Sequence, residues 1–338
     1  MSNLTRFQNK NWHDVKTIVL RYCAPAFTLV TLYLFAFVFA LPGGAHPFIS
    51  PTIIIPAVAL FVWLALRRRW LSQAQVINSL WQALTLYLVF VALSMIEGRT
   101  WLVPKKNLIA GLIGLVWYPA TANFLKQRRA LLAGWLLVAL AVEVLSKSRG
   151  GWLGFAAGAA FLTVAYWVDR RRVSHVGLVA LSAMALVTGI AIVAVSMSDT
   201  HNRVGYTAAL WMVAWRLFLT SPITGSGPGA FAAAWHNTYP ALFPLTHAHS
   251  IVFNTLAAWG LVGLIVLVAG LVILGRSLLR RWRQTSDRLP VAALGASLIT
   301  FLIHNLLDST YIEPALAFVL AIIIVCALHG DKTSNRAS

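Results

Sequence analysis

Long apolar stretches, separated by short polar segments, follow one another along almost the whole chain. We count ten, each close to the roughly 17–25 residues that an α-helix needs to cross a bilayer. They lie at about 17–40, 47–66, 75–96, 107–125, 130–146, 151–168, 175–197, 250–274, 289–307 and 311–328. The runs are continuously apolar, whereas the strands of a spanning barrel alternate over about 10 residues. The pattern therefore predicts an all-α fold, a polytopic integral membrane helical bundle with about 10 (10–12) transmembrane helices.

Composition and charge agree with a membrane protein. Hydrophobic residues make up 59% of the 338 residues and charged residues only 11%, against about 25% charged residues in soluble domains. The formal net charge of +18 would suggest nucleic-acid binding in a soluble protein, but here the placement of the charges is more informative. With both termini in the cytoplasm, 19 of the 27 Lys and Arg residues fall in cytoplasmic segments, as the positive-inside rule requires. We therefore expect membrane lipids, and no nucleic acid, as partners.

One long segment, residues 198–249, does not span the membrane and is predicted to lie outside. It contains an amphipathic, Trp-bearing run from Val204 to Leu219, typical of a helix lying in the membrane interface. A Gly/Pro-rich turn from Ser221 to Gly229 follows. The aromatic and glycine content predicts an ordered loop rather than a disordered one. We therefore expect a single transmembrane domain over residues 1–338 with one long structured external loop that carries part of the active site.

Seven basic residues lie on the predicted external side, against the overall bias, and four of them are candidates for binding phosphate, whose oxygens the guanidinium fork matches. Arg149 lies in a short turn between Ser148 and Gly150, where small residues allow a ligand to approach closely. Lys147 lies in the same turn. Arg203 opens the long loop, and Arg216 lies on the predicted interfacial helix, where it could equally form the polar face. The other three flank span ends and are interpreted as headgroup anchors: Arg99, Lys105 and Lys106.

Two histidines, His247 and His249, lie where the long loop re-enters the membrane. A neutral imidazole can accept a proton from a sugar hydroxyl. The pair could instead hold zinc with a third ligand from Asp199, His201 or Asp308, and this alternative stays open. The sequence has no carboxylate pair at the short spacing that suits Mg²⁺ or Mn²⁺. We therefore expect no metal or other cofactor, and an arginine that neutralises an anionic leaving group.

Four motifs, in this order along the chain, resemble those of bacterial O-antigen ligases. Ser148-Arg149-Gly150 resembles the family's Ser-Arg-Gly at the start of a span, and Ser221–Gly227 its Pro-hydrophobe-x-Gly-x-Gly loop. His249-Ser250, nine residues, then Gly260-Leu261-Val262-Gly263 is similar to its His-(Asn/Ser/Gln)-x9-Gly-x-x-Gly pattern. His304–Asp308 resembles its later His-x-x-x-Asp stretch. The motifs cover about residues 140–310, and the superfamily they resemble comprises O-antigen ligases, O-antigen polymerases and protein O-oligosaccharyltransferases.

The resemblance implies a glycosyltransferase of the bacterial inner membrane whose active site faces the periplasm. As an O-antigen ligase, it would transfer a glycan from undecaprenyl diphosphate to a sugar hydroxyl of lipid A core, without a metal and with inversion. His249 would act as general base, and His247 and Asp308 would position it. The diphosphate would bind four basic residues: Arg149, Arg203, Lys147 and Arg216. O-antigen polymerase or protein O-oligosaccharyltransferase activity is the alternative within the superfamily.

A lipid-linked oligosaccharide flippase or exporter is the alternative from another class. Such a transporter predicts charged or polar residues near the bilayer midplane and usually paired halves. The charged residues within the predicted spans are Arg21, Glu143 and Glu313, all near span ends, and the chain shows no internal repeat. Glu143 is expected either to pair with the turn that carries Lys147 and Arg149 or to satisfy a buried polar site. The sequence favours the transferase.

Overall fold

The computed structural model describes residues 60–67, 71–96, 106–127, 130–146, 148–170, 200–242 and 244–329, and the regular secondary structure in these ranges is helical. Residues 60–67 are helical, and nine bounded α-helices follow: α1 Gln73–Ile96, α2 Lys106–Gln127, α3 Ala130–Leu145, α4 Arg149–Arg170, α5 Thr200–Thr220, α6 Ala230–Thr238, α7 Ile251–Gln284, α8 Leu289–Leu306 and α9 Pro314–Leu328. A 3₁₀ turn, Thr310–Ile312, connects α8 to α9. These ranges contain no strand, so the predicted all-helical class is confirmed for them.

Within the described residues, three helices are long and apolar enough to cross a membrane: α2 over Asn107–Leu125, α7 and α8. Each contains one of the runs predicted to span, and α1, α3, α4 and α9 cover four more. The runs at 17–40 and 175–197, and most of 47–66, lie outside the described residues. The number of spans and the side on which the termini lie therefore stay predictions.

Helix α7 continues beyond the span predicted at 250–274, through the arginine cluster to Gln284. Hydropathy marks where a helix leaves the membrane, and Arg is a good helix former that lets the helix run on into water. Near this end, Arg281 donates hydrogen bonds to the carbonyl oxygens of Cys326 and Ala327 on α9 and to Oε1 of Gln73 on α1. The ends of three helices that the charge pattern predicts for one side thus lie together.

Glycines bring α4 close to α8. Gly150, Gly154 and Gly158 are spaced four residues apart and share one face of α4. A Cβ on Gly154 would lie 2.5 Å from the carbonyl oxygen of Thr300, and one on Gly158 would lie 2.8 Å from that of Ala296, so neither position has room for a side chain. Small residues allow helix backbones to approach closely within membranes. This contact places the first turn of α4 beside the last turn of α8.

Helix α7 is broken at Gly260, and the loop between α5 and α6 fills the break. Gly260 has φ 58° and ψ −151°, a combination open essentially to glycine alone. The amides of Ser226 and Gly227 donate to the carbonyls of Ala257 and Ala258, at 2.8 and 3.1 Å. In return, two amides just after the break donate to carbonyls of the loop, Leu261 to Pro222 at 2.8 Å and Val262 to Ile223 at 3.1 Å. The loop thereby satisfies the backbone groups that the break would leave unpaired in an apolar setting.

A second apolar cluster, separate from the core of the main bundle, packs α5 and α6 onto the start of α7. Its buried members are Leu210, Val213, Ala214, Phe231, Trp235, Ala248 and Ala257. The side chains of Trp235 and Ala248 have no exposed surface. The burial of Ala248 holds the backbone between His247 and His249 against the protein, and this positions both histidines.

Candidate active site

His249 and Asp308 meet where α7 begins and α8 has ended. Nδ1 of His249 lies 2.9 Å from Oδ1 of Asp308. His249 has φ 50°, a left-handed conformation that is uncommon for a residue with a side chain and that clusters at functional sites. It is held between two buried neighbours, Ala248 and Ser250. The packing around the site thus supports a backbone conformation that directs the imidazole to the carboxylate.

Asn254, on the first turn of α7, connects the two segments that carry this pair. Its Oδ1 accepts a hydrogen bond from the amide of Ala248 at 2.6 Å. Its Nδ2 donates to Oγ of Ser309 at 2.8 Å and to the hydroxyl of Tyr311 at 3.0 Å. One side-chain amide thus fixes the chain on either side of the His249–Asp308 contact. Sequence reasoning missed Asn254, although an amide one turn into an apolar helix is a signal that could have found it.

Asp308 is almost buried, with 7% of its surface exposed, yet its environment favours the carboxylate. Burial by itself raises the pKa of Asp308. The hydrogen bonds from His249 and from the amide of Ser309, together with nearby His304, lower the pKa by a larger amount, so it lies below its usual value of 3.8. The carboxylate is therefore ionised at neutral pH and can only accept hydrogen bonds. Nδ1 of His249 must therefore carry a hydrogen in this contact, and in the neutral imidazole this leaves the lone pair on Nε2. The His249 side chain is 34% exposed, so a substrate can reach it.

His304 connects Asp308 to the start of α4. Its Nε2 lies 3.9 Å from Oδ2 of Asp308 and 3.4 Å from Oγ of Ser148. Ser148 caps α4, because its Oγ accepts the amide hydrogen of Gly151 at 3.1 Å. A Cβ on Gly150 would lie 2.8 Å from Cδ2 of His304. Both chain neighbours of Arg149 therefore pack against a residue that adjoins Asp308. Sequence reasoning gave no role to His304.

Arg149 is the first residue of α4, and its side chain is half-buried. The amides of a first helical turn carry the positive end of the helix dipole and favour anions. A guanidinium at this place adds a full positive charge with paired donors. The start of α4 therefore combines two features that attract phosphate. It lies beside Nε2 of His304, the same atom that lies near Asp308.

Of the other basic residues predicted for the site, Arg216 is the one whose side chain the structure describes. Lys147 lies outside the described residues. Arg203 lies in the first turn of α5, where the structure describes the backbone only. Arg216 lies on the same helix with an exposed side chain, and α5 packs on α6 and α7. The structure thus brings the backbone of Arg149 near the pair and leaves the roles of Arg203, Arg216 and Lys147 as predictions.

Glu143 is buried in α3, with 2% of its surface exposed. Neither of its carboxylate oxygens has a hydrogen-bond partner among the described residues. Oε1 of Glu143 and Oγ of Ser148 lie 2.9 and 3.0 Å from the position that a Cβ on Gly151 would take. The carboxyl group thus lies beside the first turn of α4 without a hydrogen bond to Arg149. Pairing with Lys147 stays a prediction, because Lys147 lies outside the described residues.

His247 lies on the other side of His249. Its Nδ1 is 2.8 Å from Oγ1 of Thr246, and its ring centroid is 4.7 Å from that of His249. His247 also lines a cleft of about 220 Å³ between the α5–α6 loop and the start of α7. In the ranges where side chains are described, no three residues among His, Cys, Asp and Glu come close enough to hold a metal ion. Asp199, one of the alternative zinc ligands, lies outside those ranges.

Comparison with known proteins bears on the same region. A search of curated proteins finds no match for the chain. Residues 134–268 match a family model whose description is O-Antigen ligase. The matched segment contains Arg149, His247, His249 and the break at Gly260, and Asp308 lies beyond it. The resemblance to the O-antigen ligase superfamily that the sequence motifs predicted is thereby confirmed, on the segment that carries most of the site.

Proposed function

We propose that this protein is an O-antigen ligase, which transfers a glycan from undecaprenyl diphosphate to a sugar hydroxyl of lipid A core on the periplasmic face of the bacterial inner membrane. The observation that carries the proposal is the contact between His249 and Asp308, 2.9 Å long, within reach of solvent and near the start of α4. The family match supports the reaction class. The identity of donor and acceptor is part of the proposal.

His249 acts as the general base. An ionised Asp308 holds the Nδ1–H tautomer, so Nε2 of the partly exposed imidazole accepts the proton of the acceptor hydroxyl. The acceptor oxygen forms its bond to the anomeric carbon of the donor as that proton moves to Nε2. The bond between the anomeric carbon and the diphosphate oxygen breaks, and its electron pair stays on that oxygen. Attack opposite to the leaving group inverts the anomeric configuration.

Arg149 stabilises the departing diphosphate. Negative charge grows on the bridging oxygen as the bond breaks, so a positioned cation lowers the barrier more than it strengthens ground-state binding. The positive end of the α4 helix dipole adds to this positive charge. Arg203, Lys147 and Arg216 supply further positive charge to the same group. No step of this scheme requires a metal ion.

The decisive experiment is transfer by purified protein in detergent, given lipid-linked glycan and lipid A core. We expect His249→Ala to keep its expression and to lose about 10²–10⁴-fold in rate, as for a missing general base. His236→Ala is the matched control, because His236 is exposed at the end of α6 and outside the site. Wild-type activity in His249→Ala would remove His249 from the mechanism.

Product analysis separates the alternatives in the same assay. A ligase joins one preassembled glycan to each lipid A core, whereas a polymerase lengthens the lipid-linked glycan and needs no core. A flippase forms no new glycosidic bond in detergent. The ligase proposal therefore predicts a single, discrete increase in the mass of lipid A core.

A further inference from the structure

The cleft beside His247 has the size of a site for one small polar ligand. Its walls come from four parts of the chain: the loop before α6, the segment before α7, the first turns of α7 and the 3₁₀ turn. Its volume of about 220 Å³ equals that of about seven water molecules at about 30 Å³ each. This space suits a single sugar ring, and because the cleft is open to solvent, the further sugars of a glycan would extend beyond it.

The chemistry of the lining favours a neutral ligand over an anionic one. No charged residue occurs among the described residues that line the cleft, so a diphosphate would lack a counter-charge there. Hydroxyl groups of Thr246 and Thr255 and the imidazole of His247 offer hydrogen bonds, and Trp259 and Tyr311 offer ring faces. A pyranose has the complementary surface, since hydroxyl groups surround a ring whose C–H bonds form an apolar face. The start of α4, which carries the guanidinium of Arg149, suits the diphosphate instead.

The cleft shares its framework with the His249–Asp308 pair. His247 contacts the ring of His249 on one side, at a centroid distance of 4.7 Å, and lines the cleft on the other. Asn254 also lines the cleft, and the same amide holds Ala248 and Ser309, the chain neighbours of His249 and Asp308. A ring seated in the cleft would therefore contact His247, whose own ring adjoins that of His249.

Trp259, which lines the cleft, adjoins the break in α7. Trp259 comes directly before Gly260 and has 54% of its surface exposed. The amide of Gly227 donates a hydrogen bond to the carbonyl of Ala258, the residue before Trp259, at 3.1 Å. This bond fixes the loop wall of the cleft to α7. Gly227 and Gly229 both have positive φ, and nothing lies within 4 Å of where their Cβ atoms would be. These glycines therefore leave open space at the loop wall of the cleft.

We propose that this cleft binds a neutral sugar ring of the acceptor glycan, with Trp259 as the stacking platform, and that it presents the acceptor hydroxyl to His249. This inference rests on the proposed function and deepens it. The donor carries sugars of the same chemistry, so the test must tell the acceptor from the donor.

Steady-state kinetics with each substrate varied in turn provides that test. We expect Trp259→Ala to raise the acceptor KM by about tenfold, equivalent to about 1.4 kcal/mol, while the donor KM stays within about twofold. Trp259→Phe keeps a ring and should recover most of the affinity. Thr255→Val, which removes one hydroxyl of the lining, should raise the acceptor KM as well. Trp215→Ala is the matched control, because Trp215 is an exposed tryptophan on α5 outside the cleft.

A binding experiment without turnover separates this proposal from the catalytic one. Core oligosaccharide freed of its lipid serves as the probe, and saturation-transfer NMR reports its contact with the protein. We expect wild type and His249→Ala to bind it and Trp259→Ala to bind it markedly less. An unchanged acceptor KM in both Trp259→Ala and Thr255→Val, or a rise confined to the donor KM, would overturn the acceptor site and leave the role of His249 standing. Full activity in His249→Ala, with normal oligosaccharide binding, would overturn the base and leave the cleft.

Discussion

Nδ1 of His249 lies 2.9 Å from Oδ1 of Asp308, although the two residues are 59 positions apart in the chain. One residue precedes the first turn of α7, and the other follows the last turn of α8. Both therefore lie at ends of long apolar helices, where polar side chains can reach water while their backbone is held by the bundle. An acid that fixes the tautomer of a histidine and keeps its second nitrogen available is the arrangement that general-base catalysis needs.

Asp308→Asn should separate the charge of this residue from its shape. The amide is nearly isosteric but cannot carry the negative charge that stabilises the imidazolium formed during transfer. We expect kcat to fall by about 10²–10⁴-fold, with little change in either KM. Asp287→Asn is the control, because Asp287 is exposed between α7 and α8 at the other end of the bundle. A kcat for Asp308→Asn equal to that of the control would contradict the assignment.

The same carboxylate should make stability depend on acid pH. Because the folded protein lowers the pKa of Asp308 below 3.8, ionisation of this group stabilises the fold at pH values above 3.8. That contribution is lost as the pH falls through the lower, folded-state pKa. We expect the difference in melting temperature between wild type and Asp308→Asn to be largest near neutral pH and to shrink below pH 3.8. Melting curves followed by tryptophan fluorescence would measure it, and a difference that grows on acidification would refute the prediction.

Substitutions of Arg149 should distinguish a guanidinium fork from a simple positive charge. We expect Arg149→Ala to lower kcat by about 10²–10³-fold, as for the loss of a group that stabilises transition-state charge. Arg149→Lys should lie between Ala and wild type, because an ammonium keeps the charge but not the bidentate geometry. Rates at varied donor concentration provide the measurement. Arg276→Lys is the control, because Arg276 is exposed far along α7. Equal kinetics for this variant and Arg149→Ala would exclude a role of Arg149 in stabilising the diphosphate.

Gly260→Ala tests the break in α7. An alanine would have to adopt φ 58°, and its Cβ would lie 2.5 Å from the carbonyl oxygen of Ile223. Strain and crowding together should destabilise the protein by about 2–5 kcal/mol, visible as a lower melting temperature and as faster proteolysis of the loop at Ser221–Gly229. Gly270→Ala, on the same helix with nothing within 4 Å of its Cβ position, should be neutral or slightly stabilising. Similar melting of the two variants would show that the break is not required.

The fold class could be predicted because it depends on local composition. An apolar run of 20 or so residues has few options in a bilayer, since its backbone groups must bond within the run. The helices α2, α7 and α8 lie at the predicted places for that reason. The end of α7 was not predictable in the same way, because the arginines that leave the membrane remain helical up to Gln284.

The candidate site could be predicted in its residue types and only partly in its contacts. His249, Asp308 and Arg149 were recognisable because histidine, carboxylate and guanidinium groups are rare near the ends of apolar helices. The roles of Asn254, His304 and Gly260 depend on partners many positions away in the chain, Ser309, Ser148 and Ile223 among them. No local pattern encodes which of these residues meet.

The amino-acid sequence by itself determined that the chain is helical, which runs are apolar, and which polar groups accompany them at the predicted outer boundary. Only the tertiary structure decided that the start of α4 lies against the end of α8, and that a loop enters the break in α7. The physical reason is that periodicity and charge act over a few residues, whereas close packing at glycines and hydrogen bonds across a broken helix depend on which surfaces come into contact.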